Sequence, residues 1–221
     1  MTTDFQLPYP VQFRGSRVAR AILRCAGWRT DFAGLPTLQG VVVVYPHTSN
    51  WDFVWGVLLK SALGVPLQFW GKDTLFRVPV LGAWLRWLGG VPVSRTAPHG
   101  VVGQMVALIQ QKKARQEYFW LALSPEGTRR QTPGWRSGFY RVALAADVPV
   151  GLARLDYGQK RLVLREFVRL SGDEAADMAR IARAFEGCLG RHPGTASPVR
   201  LMNPSAAREA GAATIVNPAN H

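Results

Sequence analysis

Short apolar runs alternate along this chain with longer stretches in which apolar residues recur every three or four positions. The runs predict buried strands, and the periodic stretches predict helices packed against them. The predicted strands lie at residues 40–45, 66–70, 91–93, 118–123, 148–155 and 161–164, the last of them at an edge. The predicted helices lie at residues 13–28, 50–58, 75–88, 102–113, 139–146 and 171–189. This alternation predicts an α/β fold, with a single domain in which helices flank a mainly parallel central sheet.

The N-terminal helix is basic and amphipathic. Its arginines share one face, and most of its large apolar residues share another. The two faces consist of Arg17, Arg20 and Arg24 on one side, and Val18, Ile22, Cys25 and Trp28 on the other. Such a helix is typical of segments that lie in a membrane interface. It is equally compatible with a helix that docks on the core and exposes its basic face to water.

Three segments follow from this pattern. Residues 1–39 form a lead-in with the basic helix, and residues 40–191 form the α/β domain. From residue 192 to residue 221 the chain is rich in Ala, Pro, Ser and Asn and has no periodicity, so we expect a flexible tail.

The composition excludes a disordered chain and indicates a polyanionic partner. The 221 residues are 48% hydrophobic and 19% charged, which is enough to build a sizeable core. The net charge is +13, and 22 of the 27 basic residues are arginine. Arginine pairs well with phosphate and carboxylate, so the partner could be a nucleic acid, an anionic lipid or an acidic carrier. Composition alone does not choose among them.

The positions of the tryptophans and the lack of a membrane-spanning segment indicate where in the cell the protein is expected to lie. The N-terminal half interleaves arginines with five tryptophans in particular, namely Trp28, Trp51, Trp55, Trp84 and Trp87. This arrangement favours a membrane–water boundary, although core filling accounts for at least half of the eight tryptophans. We find neither a run of about 20 apolar residues nor a secretory signal. We therefore expect a cytoplasmic protein that lies peripherally on the cytoplasmic face of the cell membrane.

The cysteine and histidine content predicts neither disulfides nor a metal. Two cysteines, Cys25 and Cys188, cannot form a disulfide framework or an all-thiolate zinc site. The four histidines are scattered and lack the spacing of metal ligands.

Chemically active side chains follow three of the predicted strands. His47 and Asp52 follow the first strand, Arg95 follows the third, and Glu126, Gly127, Thr128 and Arg129 follow the strand at 118–123. Ligands of parallel sheets gather at the carboxyl ends of the strands, so we expect these loops to converge on one crevice.

An imidazole that is oriented by a carboxylate can act as a general base. His47 and Asp52 fit this role, although many such pairs are merely structural. No G-x-S-x-G nucleophile accompanies them, which suits direct attack by a substrate hydroxyl. Arg95 and Arg129 would form a phosphate clamp, with a surface ion pair between Glu126 and Arg129 as the alternative.

These residues resemble the ordered motifs of the glycerolipid acyltransferases, in particular the lysophosphatidate (1-acylglycerol-3-phosphate) acyltransferase group. The matching segments are His47-x4-Asp52, Gly90 to Arg95, Glu126-Gly127-Thr128-Arg129 and Val148-Pro149-Val150. The resemblance implies that His47 is the catalytic base and Asp52 orients it. It implies that Arg95 and the motif from Glu126 to Arg129 form the acceptor site. Pro46, Ser124 and Arg130 depart from the usual pattern and place the chain in a divergent branch.

The resemblance also implies a reaction. An acyl group passes from acyl-CoA or an acyl-carrier protein to the hydroxyl of lysophosphatidate at a membrane and gives phosphatidate. There is no covalent acyl-enzyme, and no cofactor is needed besides the acyl donor. The alternatives are another lysophospholipid or an amino lipid as acceptor, thioester hydrolysis, and a non-catalytic basic protein that binds membrane or nucleic acid; we do not expect nucleic acid as a partner.

Overall fold

The computed structural model describes residues 4–93 and 100–202. The strands are β1 (Arg29–Phe32), β2 (Gln39–Tyr45), β3 (Gln68–Lys72), β4 (Gly90–Val93), β5 (Phe119–Leu123), β6 (Val150–Asp156) and β7 (Arg161–Val168). The α-helices are α1 (Arg17–Cys25), α2 (Trp51–Leu63), α3 (Asp73–Phe76), α4 (Pro79–Trp87), α5 (Gly100–Ala114), α6 (Gly138–Ala146) and α7 (Glu174–Ala184). A short 3-10 helix covers Pro193–Thr195.

All seven strands form one sheet in the order β1-β7-β6-β2-β5-β3-β4. The five strands from β6 to β4 run parallel to one another. Strand β7 is antiparallel to β6, and β1 pairs in parallel with β7 at the edge. The predicted fold class, a single α/β domain with a mainly parallel sheet, is therefore confirmed.

Strand β2 lies in the middle of the sheet because nearly all of its side chains can be buried. Val41 and Val43 join a core cluster with α5, α6 and α7, whereas Val42 joins the core of the opposite face. At Gly40 an added Cβ atom would collide with the Trp120 ring, so this position needs glycine. Side chains of this strand are thus buried on both faces of the sheet.

The sheet edge differs from the prediction. Strand β7 was expected to lie at the edge, but β1 pairs with it from Arg29 to Phe32. This four-residue strand has exposed or half-buried side chains only, so it lacks the apolar run that marks a buried strand.

Helix α1 forms where it was predicted, but it buries a different face. Ala19 and Leu23 are buried, and they cluster with Ala62 of α2 and with Trp28. Val18 is 69% exposed, and Ile22 is also exposed, together with the arginines. Within the described residues no helix has both the length and the apolar composition that crossing a bilayer requires.

The segment after α7 corrects the predicted start of the tail. Ser197 is fully buried, and Leu201 forms an isolated bridge with Trp135. Met202 donates its backbone N–H to the Trp135 carbonyl at 2.8 Å. Residues 192–202 therefore belong to the folded body, because their backbone groups and Ser197 find partners there. The rest of the predicted tail, from residue 203, lies outside the described residues.

Candidate active site

Three neighbouring strands bring their carboxyl ends to one side of the sheet. Val43 of β2 pairs with Leu123 at the end of β5, and Tyr45 of β2 pairs with Arg154 near the end of β6. The loops that follow these strands are consequently adjacent. They carry His47, the segment 124–130 and Tyr157.

His47 and Asp52 form a close pair. The Nδ1 atom of His47 lies 3.2 Å from Oδ2 of Asp52. The His47 side chain is 24% exposed, and the Asp52 side chain is 1% exposed. The backbone N–H groups of Thr48 and Ser49 donate to the same Oδ2 at 2.7 and 2.8 Å, so the loop is folded around the carboxylate. An imidazole held through Nδ1 leaves Nε2 free to exchange a proton.

The carboxylate of Asp52 is charged although it is buried. Burial opposes its ionisation, but hydrogen bonds from His47, Tyr157 and the Ser49 amide outweigh this effect, and the pKa of Asp52 lies below its ordinary value. The Tyr157 hydroxyl donates to Oδ1 at 2.7 Å. Burial and the neighbouring Asp52 charge in turn raise the pKa of Tyr157, which keeps the hydroxyl protonated as a donor.

Glu126 is buried next to the His47 loop and binds backbone N–H groups from two separate segments. Its fully buried carboxylate accepts the N–H of His47 at 2.6 Å and the N–H of Ser197 at 2.9 Å. Burial raises the pKa of Glu126, and these two backbone hydrogen bonds oppose the rise. The resemblance implied an acceptor-site residue here, whereas the side chain fastens the His47 loop to the C-terminal segment.

The remaining motif residues line the cavity that His47 also lines. This holds for Gly127, Thr128 and Arg129. Gly127 has a φ of +66°, and a Cβ atom there would lie 2.6 Å from Nε of Arg136. Glycine thus permits both the turn and the close approach of a second arginine. Arg95 was predicted to join this group, and it lies outside the described residues.

The cavity has a cationic rim. Arg129, Arg130 and Arg136 line it, and among the described residues none of these three has a carboxylate within ion-pair distance. Glu126 is engaged elsewhere, so the alternative of a Glu126–Arg129 surface pair does not occur. Unpaired guanidinium groups next to a potential general base can hold an anionic group close to the reacting atoms.

The whole cavity has a volume of about 1070 Å³, and beyond the arginines it continues as an apolar space between α2 and the sheet. Gly56 lies one turn after Asp52 on α2 and lines this space, and a Cβ atom there would meet nothing within 4 Å. The other apolar lining residues on this side include Val42, Val44, Leu59, Leu63, Leu67 and Ala122. An extended apolar chain could therefore lie along α2, with its polar end near His47.

Sequence reasoning missed three residues of this region. Tyr157 comes directly after β6, so the rule that singled out the ends of the other strands could have found it. Arg136 lies nine residues after Gly127 in an irregular segment, and Ser197 falls in the predicted tail. Neither position carried a signal, because its contacts depend on how distant segments meet.

The geometry defines an α/β domain with a His–Asp pair at a cationic, largely apolar cavity. The family model described as Acyltransferase matches residues 30–151. This span is more than half of the chain and includes β1 to β5, His47, Asp52 and the motif from Glu126 to Arg129. The chain therefore belongs to the acyltransferase family.

A chloroplastic 1-acyl-sn-glycerol-3-phosphate acyltransferase of Brassica napus is 28% identical to this chain over 127 residues. The match covers 56% of this chain and 36% of that relative's length. A crystal structure of the 1-acyl-sn-glycerophosphate (LPA) acyltransferase PlsC from Thermotoga maritima superposes with a TM-score of 0.49 at 18% identity, covering 76% of this chain and 75% of that one.

Proposed function

We propose that this protein transfers a fatty acyl group from a thioester donor to the free hydroxyl of lysophosphatidate. The product is phosphatidate, which places the protein in phospholipid biosynthesis. The observation that carries the proposal is the pair of His47 and Asp52, 3.2 Å apart, in a cavity that is also lined by three arginines without a carboxylate partner in the described part of the chain. The name of the Brassica napus relative supports the choice of acceptor.

In this mechanism His47 acts as a general base and Asp52 stabilises the imidazolium. The acceptor oxygen attacks the thioester carbonyl, and its proton passes to Nε2 of His47. The new C–O bond gives a tetrahedral intermediate. The C–S bond then breaks, and the leaving thiolate takes the proton back from the imidazolium. Such proton transfer contributes roughly 10²- to 10⁴-fold to the rate, and no covalent acyl-enzyme is formed.

The two parts of the cavity would hold the two parts of the substrates. Arg129, Arg130 and Arg136 would bind the acceptor phosphate, and Arg95 would join them as the motif implies. The apolar space along α2 would take an acyl chain, because its walls are aliphatic and it has room beside Gly56. Acyl-CoA and acyl-carrier protein both suit the positive charge of the chain as donors. We propose no resident cofactor.

A membrane-surface location on the cytoplasmic side is part of the proposal. Helix α4 presents Val80 and Trp87, which are 84% and 80% exposed, and Trp84 is also exposed. Helix α1 adds exposed arginines beside Val18 and Ile22. Exposed tryptophans and exposed arginines are both typical of proteins that bind the headgroup region of anionic membranes.

The decisive test is a thiol-release assay with acyl-CoA and with acyl-carrier protein, each with and without lysophosphatidate, followed by identification of the lipid product by mass spectrometry. We expect thiol release that depends on lysophosphatidate and yields phosphatidate. Release that ignores the acceptor would identify a thioester hydrolase. Faster release with a zwitterionic lysophospholipid or an amino lipid would replace the proposed acceptor.

A matched pair of variants assigns the base. His47→Gln should lose at least about 100-fold in kcat while its melting temperature stays close to that of the wild type. The control is His192→Gln, at an exposed side chain whose residue contacts the site only through a backbone N–H. A His47 variant with near-normal kcat would remove this residue from the mechanism.

A further inference from the structure

Tyr157 joins the active site to the body of the protein. It follows β6 directly, and its backbone N–H donates to the Leu189 carbonyl at 2.8 Å. Its ring packs edge-on against Trp28, with 5.0 Å between the ring centroids. Its hydroxyl reaches Oδ1 of Asp52 at 2.7 Å. The tyrosine is therefore held from both sides while it contacts the carboxylate.

The two oxygens of Asp52 have separate partners. Oδ2 lies next to Nδ1 of His47 and accepts the N–H groups of Thr48 and Ser49. Oδ1 accepts the hydroxyl of Tyr157. The torsion about the Cβ–Cγ bond of an aspartate is intrinsically broad, and each oxygen that is held narrows it further. The second contact fixes the plane of the carboxylate, and with it the direction in which Oδ2 faces the imidazole.

We propose that Tyr157 is a positioning residue that orients the Asp52 carboxylate and tunes the basicity of the His47 imidazole. This role rests on the proposed function of His47 as the general base. The hydroxyl acts through Asp52, so it contributes to proton transfer without contact to the reacting atoms. Tyr157 also links the His47–Asp52 pair to the N-terminal segment, because the ring of Trp28 packs against the tyrosine ring.

The sign of the effect follows from the hydroxyl dipole. Its positive end points at Asp52 and offsets part of the negative charge that stabilises the imidazolium. Tyr157→Phe keeps the ring and removes this dipole, so the imidazolium should become more stable and His47 should titrate at higher pH. The other charged or titratable groups that face this cluster remain unchanged in the variant; they are Glu126, Arg191 and the cavity residues Lys60, Arg129, Arg130, Arg136 and Arg154.

The chain offers a matched control. Tyr140 donates its hydroxyl to Oδ2 of Asp177 at 2.9 Å, in the core between α6 and α7. Tyr140→Phe and Tyr157→Phe each remove one tyrosine–aspartate hydrogen bond. Both variants should lose stability. Only Tyr157→Phe should affect catalysis and the titration of His47.

The experiment measures the His47 titration by NMR in histidine-labelled full-length protein, with the resonance assigned from His47→Gln. It also measures kcat and KM with acyl-CoA and lysophosphatidate. For Tyr157→Phe we expect the titration midpoint to move to higher pH. We expect kcat to fall by about tenfold with little change in KM, since the lost bond involves a charged acceptor. Tyr140→Phe should leave all three quantities at their wild-type values.

The outcomes separate this proposal from the proposed function. An unchanged His47 titration in Tyr157→Phe would overturn the positioning role, whatever the rates are. Equal effects of the two tyrosine variants on kcat would also overturn it, because the loss would then reflect stability alone. If the titration shifts as expected but the wild type transfers no acyl group, the coupling stands and the proposed function fails.

Discussion

At the scale of single residues, the Asp52 carboxylate holds the surrounding loop, and in the proposed mechanism it also stabilises the imidazolium of His47. Its four neighbours are two backbone amides, one imidazole and one hydroxyl, all within 3.2 Å. The buried charge is tolerated because these groups satisfy both oxygens. The same contacts that orient His47 also fold the loop between β2 and α2, so substitution of Asp52 should affect rate and stability together.

Asp52→Asn keeps the shape of the side chain and removes its charge. We expect kcat to fall by about 10²- to 10⁴-fold, because the imidazolium loses its partner. The pKa of Asp52 is lowered in the folded state from an ordinary value of 3.8. The ionised carboxylate therefore contributes stability above this pH, and the contribution is lost as the pH falls through the lowered pKa.

Melting temperatures of the wild type and Asp52→Asn between about pH 3 and pH 6 check the sign of this linkage. The difference in favour of the wild type should be full near pH 6 and shrink towards pH 3. A difference that grows on acidification would contradict the lowered pKa. Comparison of the two proteins removes the contribution of the other carboxyl groups.

Glu126 supports a second residue-scale prediction. Glu126→Ala leaves the N–H groups of His47 and Ser197 without their acceptor in a buried place. Each unsatisfied group costs about 1–3 kcal/mol, so we expect urea unfolding to show a loss of about 2–5 kcal/mol. The control Glu186→Ala, at an exposed position, should stay within about 0.5 kcal/mol of the wild type. Equal losses in both variants would argue against a stabilising role of the buried hydrogen bonds from the His47 and Ser197 N–H groups to Glu126.

At the scale of elements, helix α2 serves as one wall of the apolar space. Its first turn carries Asp52, and Gly56 follows one turn later with open space in place of a side chain. If the acyl chain lies there, Gly56→Leu should obstruct it. We expect the ratio of kcat/KM for a long acyl-CoA over a short one to fall by at least about tenfold, since several buried methylenes lose their place.

Ser61→Leu is the control for this helix, because Ser61 is exposed and the same side chain then points away from the cavity. Its chain-length preference should match that of the wild type. An unchanged preference in Gly56→Leu, with normal folding, would place the acyl chain elsewhere. The measurement is a competition between two acyl-CoA lengths, with the lipid products separated by mass.

Most elements could be predicted because their apolar pattern is strong, and the exceptions have a tertiary cause. In α1 the pattern placed Val18 and Ile22 on the apolar face without deciding whether this face meets a membrane or the core, and in the fold Ala19 and Leu23 are the buried residues. The helix starts so close to α2 that a Cβ atom at Gly15 would collide with the Ala62 carbonyl, and a small residue is needed at the contact. In α7 the spacing of Ser171 and Glu174 is that of a capping box, but Asp173 is the N-cap and accepts the Ala176 N–H.

At the scale of the whole molecule, the convergence of the strand ends could be predicted from the sequence. The packing of the C-terminal segment around Ser197 against the site could not. Parallel neighbours placed His47 and the 126–129 motif together as expected. The segment around Ser197 has no periodic pattern, and it packs because Glu126, Thr132 and Tyr45 supply partners for its polar groups. These partners are 65 to 152 residues away in sequence, so no local signal marks the contact.

The distribution of charge and exposed aromatic residues leads to a prediction for the whole molecule. Helices α1 and α4 both neighbour α2, through the Ala62 cluster and the contact of Phe53 with Trp84. The arginines of α1 would supply electrostatic attraction to anionic lipid, worth about 1 kcal/mol each. The tryptophans of α4 would supply an apolar contribution that salt does not screen.

Flotation with phosphatidylserine-containing vesicles separates these two contributions. Replacement of Arg17, Arg20 and Arg24 by Gln should weaken binding by about 100-fold at low salt and remove most of its salt dependence. Replacement of Trp84 and Trp87 by Ser should weaken binding at every salt concentration and leave the salt dependence unchanged. Binding of both variants at the wild-type level would exclude this surface as the membrane contact, and a wild type that stays at the bottom of the gradient would exclude membrane binding altogether.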